Sequence, residues 1–179
     1  MNNVELRPFT SADAADVASV VAAAFGNDGE VKLIETLRRD GEMVCEFVAA
    51  TPFEIVAHVA FSRLQMRKGG ATLRATALAP LAVAPATQRS GIGQTLTHLA
   101  LDELRAKRED VVVVLGHPNY YRRFGFSSLL TKLLDAPYSG EAFMALELTP
   151  CALGDMRWNV TYARAFSGTS HGDRNSPSR

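Results

Sequence analysis

Cysteine is almost absent from this sequence. Only Cys45 and Cys151 carry a thiol among 179 residues. Neither has a second cysteine or a histidine at ligand spacing, which argues against a disulfide framework, a metal-binding knuckle or any other metal site, and both read as reduced. An excess of one charge is missing too: 19 basic side chains balance 19 acidic ones. A nucleic-acid partner is not expected, because it calls for a strongly basic domain or stripe. No run of about eighteen apolar residues exists, so no membrane span is expected. No N-terminal segment joins a basic start to an apolar stretch, so no signal peptide is expected and a cytoplasmic location follows. Internal repeats are absent.

What is present fits one soluble domain: 47% apolar and 21% charged residues, in a chain long enough to bury roughly two-thirds of its unfolded surface. The expected domain covers residues 1–166. The remainder, 167–179 (SGTSHGDRNSPSR), is polar and nearly free of apolar anchors. Its ordering entropy would not be offset by burial, so disorder is expected there. The cluster Arg105, Lys107, Arg108, followed by Glu109 and Asp110, reads as a solvated helix end.

Val4 to Phe9 fits a first strand. Thr10 or Ser11 then caps a helix whose apolar positions Ala14, Val17, Ala18, Val21 and Phe25 recur at helical spacing, with Asp13 in its first turn. A second helix carries Val31, Ile34 and Leu37 and stops near Gly41. Strand signals follow at Met43 to Ala50, Ile55 to Leu64 and Ala71 to Val83, separated by turns at Thr51–Glu54 and Arg67–Gly70. The last of these ends in ALAPLAV, an apolar run suited to a strand buried on both faces. Pro80 cannot donate to a ladder, so a bulge or a splay is expected there. A helix from Gly91 to about Lys107, a strand VVVVL from Val111 to Leu115, a short helix Pro118–Arg123 and strands Ala142–Leu148 and Met156–Tyr162 complete the pattern. This order predicts an α+β fold, an α/β sandwich, with an antiparallel front half and one strand-helix-strand crossover. The C-terminal strand offers a homodimer contact through pairing of Met156–Tyr162 across subunits.

Gln88-Arg89-Ser90-Gly91-Ile92-Gly93 lies between the buried strand and a helix start. Unpartnered N–H groups and the helix dipole make that place an anion site. Gly91 and Gly93 leave room for close approach, and Gln88, Arg89 and Ser90 add donors. A purely structural turn explains the same glycines equally well. The segment lacks the Gly-Lys-Ser/Thr ending of a nucleotide-triphosphate loop and the third glycine of a dinucleotide fingerprint.

The run LAPLAVAPATQRSGIGQTL resembles the acetyl-CoA motif of the GNAT superfamily of N-acetyltransferases, with Gln88, Gly91 and Gly93 at its Gln/Arg-x-x-Gly-x-Gly/Ala positions. The run GHPNYYRRFGF is similar to a second family signature, with Tyr121 four residues before Gly125-Phe126. The resemblance spans roughly Val4 to Leu148 and implies a mixed central sheet splayed at the cofactor strand, with acetyl-CoA as co-substrate. It further implies that the backbone of Leu81, Ala82 and Val83 pairs with the pantetheine arm and that the N–H near Val83 supports the oxyanion. Gln88, Arg89, Ser90, Gly91, Ile92 and Gly93 would hold the pyrophosphate, with Gln94 and Thr95 close behind. Tyr121 would act as general acid, although a packed core tyrosine fits the position as well. Asn119 either bonds the pantetheine amide or caps the short helix. For the base, the strand Thr76–Val83 offers no carboxylate. His58, Glu46 and His117 are the candidates, and a water chain is an alternative. The acceptor would be an amine of a small molecule or a peptide, received by the first two helices and the loop after Phe126. A non-catalytic acyl-CoA-binding module on the same fold is the second reading.

Overall fold

The computed structural model describes residues 4–168. Of the tail expected to be disordered, 169–179 lie outside the described residues.

Strand β1 (Glu5–Pro8) lies at one edge of the sheet, antiparallel to β2 (Met43–Ala50). Between them the chain forms a 3-10 turn, Ser11–Asp13, and helices α1 (Ala14–Phe25) and α2 (Gly29–Arg39). Thr10 and Asp13 cap each other at the entry: the Thr10 N–H donates to Asp13 Oδ2 at 2.8 Å. Arg7 adds a two-pronged ion pair to the same carboxylate, both bonds at 2.7 Å. These bonds hold the Asp13 carboxyl well below the usual carboxylate range. A depressed folded pKa contributes stability that is fully present above the unfolded value of about 4 and is lost as pH falls below it. Asp13→Asn is therefore expected to destabilise the fold at pH 7 and to flatten its acid limb below about pH 4. Denaturant titrations at several pH values check this; parallel acid limbs in the two proteins would contradict it.

Two antiparallel hairpins follow. β2 turns at Thr51–Glu54 into β3 (Ile55–Lys68), which turns at Gly69–Gly70 into β4 (Ala71–Val83). β3 runs four residues past the expected Leu64. Buried Leu64 and Met66 alternate with exposed Gln65 and Arg67 there, and β8 (Trp158–Tyr162) takes up the edge from Leu64 to Arg67. The strand expected to pair across subunits is thus paired within the chain, to β3 on one side and to the short β6 (Leu134–Asp135) on the other.

From β4 the chain crosses through α3 (Ile92–Ala106) to the parallel strand β5 (Val111–Leu115). It then passes through the single turn α4 (Pro118–Tyr121) to β7 (Phe143–Glu147), antiparallel to β5. The sheet order is β1-β2-β3-β4-β5-β7. Successive strand residues point to opposite faces, and the packing follows this. Phe47 joins Phe61, Val112 and Met144 under α3, whose Leu96, Ala100 and Leu104 are fully buried. Val48 and Ala82 turn the other way, to Val17, Val20 and Val21 of α1.

One residue departs sharply from the expected solvated helix end. Glu109 is 1% exposed. Arg63 holds it with bonds of 2.6 and 2.9 Å, and Arg74 adds one of 3.0 Å. Arg105, Lys107 and Arg108 remain at the surface; the turn from α3 into β5 carries Glu109 into the interior.

Candidate active site

Pro80 marks the place where the sheet opens. Phe61 faces Leu78 and Val59 faces Leu81, so β4 holds one residue more than β3 across this step. That is a bulge on β4 at Ala79–Pro80, a peptide bond that is cis. On its other side β4 pairs with β5 only from Ala75 to Ala77, opposite Val111 to Val113. Beyond Leu78 the two strands diverge. A cleft of about 540 Å³ fills the gap, lined by Ala77–Leu81 of β4, Val113–Leu115 of β5, Gly116–Pro118, Tyr121, and Phe25, Glu30 and Leu33 from the first two helices.

The phase of the backbone bonds identifies which groups of β4 are exposed along this edge. The Ala84 N–H donates to Val56 O at 2.8 Å, toward β3, and Ala82 stands opposite His58 in the same ladder. Hydrogen-bonding direction alternates along a strand, so Ala82 turns its backbone to β3. Leu81 and Val83 turn theirs to the open side. Of the three residues expected to meet a pantetheine arm, Leu81 and Val83 turn their backbone to the open side, Leu81 alone of the three lines the cleft, and Ala82 turns its backbone to β3.

After β4, Gln88 reaches back and donates from Nε2 to the Val83 carbonyl at 3.2 Å. Ser90 Oγ donates to Thr87 O at 2.5 Å. Both side chains fold the loop on itself. Arg89 and Gly91 take positive φ, 62° and 88°, and Gly91 forms the N-cap of α3 with no capping side chain. The N–H groups of Ile92, Gly93 and Gln94 therefore have no partner within the helix, whereas Thr95 N–H already bonds Gly91 O at 3.0 Å.

The two glycines do different work. Nothing lies within 4 Å of a Cβ added to Gly91, so the approach to the helix end is open. A Cβ on Gly93 would stand 3.0 Å from Val83 Cγ2 and 3.1 Å from the Tyr120 hydroxyl. Gly93 lets α3 close against β4 and α4; the room it provides is for packing. Ile92, the first residue of α3, packs on the core. Gln94 and Thr95 stay exposed on the first turn, and Arg123 reaches Gln94 Oε1 at 3.5 Å.

Tyr121 stands on the cleft wall and is 9% exposed. Its ring packs edge-on to Tyr120 at 5.0 Å and Phe126 at 5.8 Å. Gly116 makes the slot, since a Cβ there would fall on the Tyr121 ring. Burial pushes the Tyr121 phenol above its ordinary value of 10, so it stays protonated at neutral pH. Asn119 faces a separate outer groove with Arg122 and Arg123.

The candidate bases separate. His58 is 0% exposed and does not line the cleft. It sits in mid-sheet with Nε2 2.9 Å from Glu46 Oε2, while Nδ1 has no hydrogen-bond partner. Burial lowers its pKa, so the neutral ring donates from Nε2. Burial opposes the charge on Glu46, but bonds from His58 and from Arg38, the latter down to 2.6 Å, outweigh it and keep the carboxyl below its ordinary value. The pair anchors α2 to the sheet, and neither member reaches the cleft. His117 alone of the three lines it. Glu30, unremarked in the sequence, is the carboxylate on the wall.

Residues 5–129 match the family described as acetyltransferase (GNAT) domain. The chain is similar to the N-acetyltransferase YhbS of Escherichia coli K12, at 31% identity over 87% of this chain and 93% of the relative. YjhQ of the same organism is 33% identical over 70% of this chain and 71% of its own. Among solved structures, Escherichia coli YhbS in complex with CoA superimposes with a TM-score of 0.84 at 29% identity, covering 93% of both chains. A GNAT family acetyltransferase from Brucella melitensis in complex with acetyl-CoA gives 0.76 at 31% identity, covering 93% of this chain and 99% of that one.

Proposed function

We propose, from the premise that this chain belongs to the GNAT acetyltransferase family, that it transfers the acetyl group of acetyl-CoA directly to an amine held in the cleft between β4 and β5. The observation that carries this reading is the open edge of β4, where Leu81 turns its backbone into the cleft beside the phenol of Tyr121 and Val83 turns its N–H the same way, toward the bare N-terminus of α3.

In this reading the N–H groups of Ile92, Gly93 and Gln94 bind the pyrophosphate, joined by Arg89 from the loop. Gln88 and Ser90 shape the loop through their own bonds, and Thr95 and Gln94 complete its first turn. The Leu81 and Val83 backbone aligns the pantetheine, and the Val83 N–H stabilises the charge that develops on the thioester oxygen. Holding amine and thioester together removes much of the entropic barrier. As the new C–N bond forms and the C–S bond breaks, Tyr121 donates its hydrogen bond to the departing sulfur. Two protons leave the nitrogen of an ammonium acceptor. One ends on sulfur by way of Tyr121, and the other passes to solvent along the wall that holds His117 and Glu30. His58 keeps a supporting role beneath α2.

Calorimetric titration with acetyl-CoA tests this. The wild type is expected to bind saturably. Gly91→Asn tolerates the positive φ and keeps the loop neutral. Gly91→Asp sets a negative charge against the pyrophosphate and is expected to bind roughly tenfold more weakly than Gly91→Asn. Equal affinities would remove the pyrophosphate from this loop, and no binding by the folded wild type would remove the function.

A further inference from the structure

A second groove, of about 580 Å³, lies along α4, and Asn119, Tyr120, Arg122, Arg123 and Glu141 line it. His117 and Pro118 border both this groove and the cleft, so the two spaces adjoin where the chain leaves β5. The first turn of α3 stands beside it. Arg123 reaches Gln94 Oε1 at 3.5 Å, and the Tyr120 hydroxyl lies 3.1 Å from the place a Cβ on Gly93 would occupy. The groove therefore begins next to the N–H groups of Gly93 and Gln94.

Its two arginines are exposed but not equivalent. Arg122 faces the carboxylate of Glu141 at 3.8 Å. Arg123 makes its contacts with neutral groups: besides Gln94, its guanidinium stands over the Tyr120 ring, 4.9 Å from the centroid. Among the described residues no carboxylate pairs with it. A guanidinium held against an aromatic face loses less freedom when a ligand arrives. Its charge stays available to an anion, and its fork of donors matches a phosphate.

We propose that this outer groove receives the 3′-phosphorylated ribose of coenzyme A, and that Arg123 recognises its phosphate and so distinguishes CoA from the dephosphorylated form. This rests on the acetyltransferase reading, which seats the pyrophosphate on the N–H groups of Ile92, Gly93 and Gln94. From there the pantetheine runs along Leu81 into the cleft, and the nucleotide has to leave on another side. The groove opens at that point. A phosphate monoester brings about two negative charges near neutral pH. Arg122 offsets Glu141 in the same groove, and Arg123 is left to meet the phosphate.

Calorimetric titrations with CoA and with 3′-dephospho-CoA, which lacks that one phosphate, test the assignment. The wild type is expected to bind CoA about tenfold more tightly than dephospho-CoA at low ionic strength, and the ratio is expected to shrink as salt is added. Arg123→Gln is expected to bind CoA about tenfold more weakly and dephospho-CoA as the wild type does, so that it no longer tells the two apart. Arg122→Gln is expected to keep most of the discrimination. Melting curves of both variants guard against a folding defect. Equal binding of the two ligands by the wild type, an equal loss for both in Arg123→Gln, or discrimination that disappears with Arg122 instead of Arg123 would overturn the proposal. Binding of neither ligand by the folded wild type is the distinct outcome that would overturn the acetyltransferase reading itself.

Discussion

Tyr121→Phe is expected to lower kcat about a hundredfold while acetyl-CoA binds as tightly as before. The substitution removes one oxygen and keeps the ring, so the packing against Tyr120, Phe124 and Phe126 survives. What is lost is the hydroxyl proposed to meet the sulfur. The size of the loss follows from the environment of the phenol. General acids contribute roughly 10² to 10⁴ in rate. Burial weakens Tyr121 as an acid, so in the proposed role it would first hydrogen-bond the sulfur and complete the transfer only as charge accumulates there; the low end of the range applies. The same burial keeps the phenol protonated above pH 10, so Tyr121 contributes no loss of rate at moderately alkaline pH. Steady-state kinetics of the variant from pH 7 to 9 measure both effects. A variant with full kcat would leave Tyr121 a packing residue.

Arg63→Met is expected to destabilise the protein by about 3 kcal/mol, because it strands a buried carboxylate. Glu109 has no exposed side-chain surface, and Arg63 supplies two of the bonds that neutralise it. Arg74 remains, but its side chain is 60% exposed and makes a single longer bond. For a chain of this length the loss corresponds to a fall in Tm of roughly 6 to 12 °C. The double variant Arg63→Met, Glu109→Gln removes the stranded charge and is expected to recover much of the difference. Thermal melts of the wild type and both variants decide it. A single variant within about 1 °C of wild type would mean that water reaches Glu109. The exposed pair Arg39–Asp40 sets the contrast, since surface pairs of that kind contribute little.

Sequence reasoning read some features of this fold well, and the pattern has physical causes. The hairpins β2–β3 and β3–β4 announce themselves through alternation and short turns, both local signals. Pro80 marked the opening of the sheet because a missing N–H is visible in one letter. Gln88 to Gly93 were legible as a loop before a helix, though the sequence could not separate an open Gly91 from a Gly93 that packs. Long-range pairing left no such trace. Nothing near Leu64–Arg67 signals that Trp158–Tyr162 will lie beside it, and nothing near Glu109 names Arg63, 46 residues away. His58 was offered as a base and lies buried in mid-sheet, and Glu30 went unremarked, for the same reason. Each is a polar residue whose burial is set by which element covers it, and that is decided by the tertiary fold alone.

The divergence of β4 from β5 has a mechanical consequence. β4 is laced to β3 along almost its whole length, from Val83 to Ala71, but is joined to β5 only at Ala75–Ala77. A load pulling the two halves of the sheet apart therefore concentrates on this short seam, as a partly opened zip strains at its last closed teeth. A substrate arm lying along Leu81 and Val83 would add teeth to that zip. The protein would then be stiffest when loaded for reaction and most compliant once its product has left, with the stiffness supplied by a molecule that it consumes.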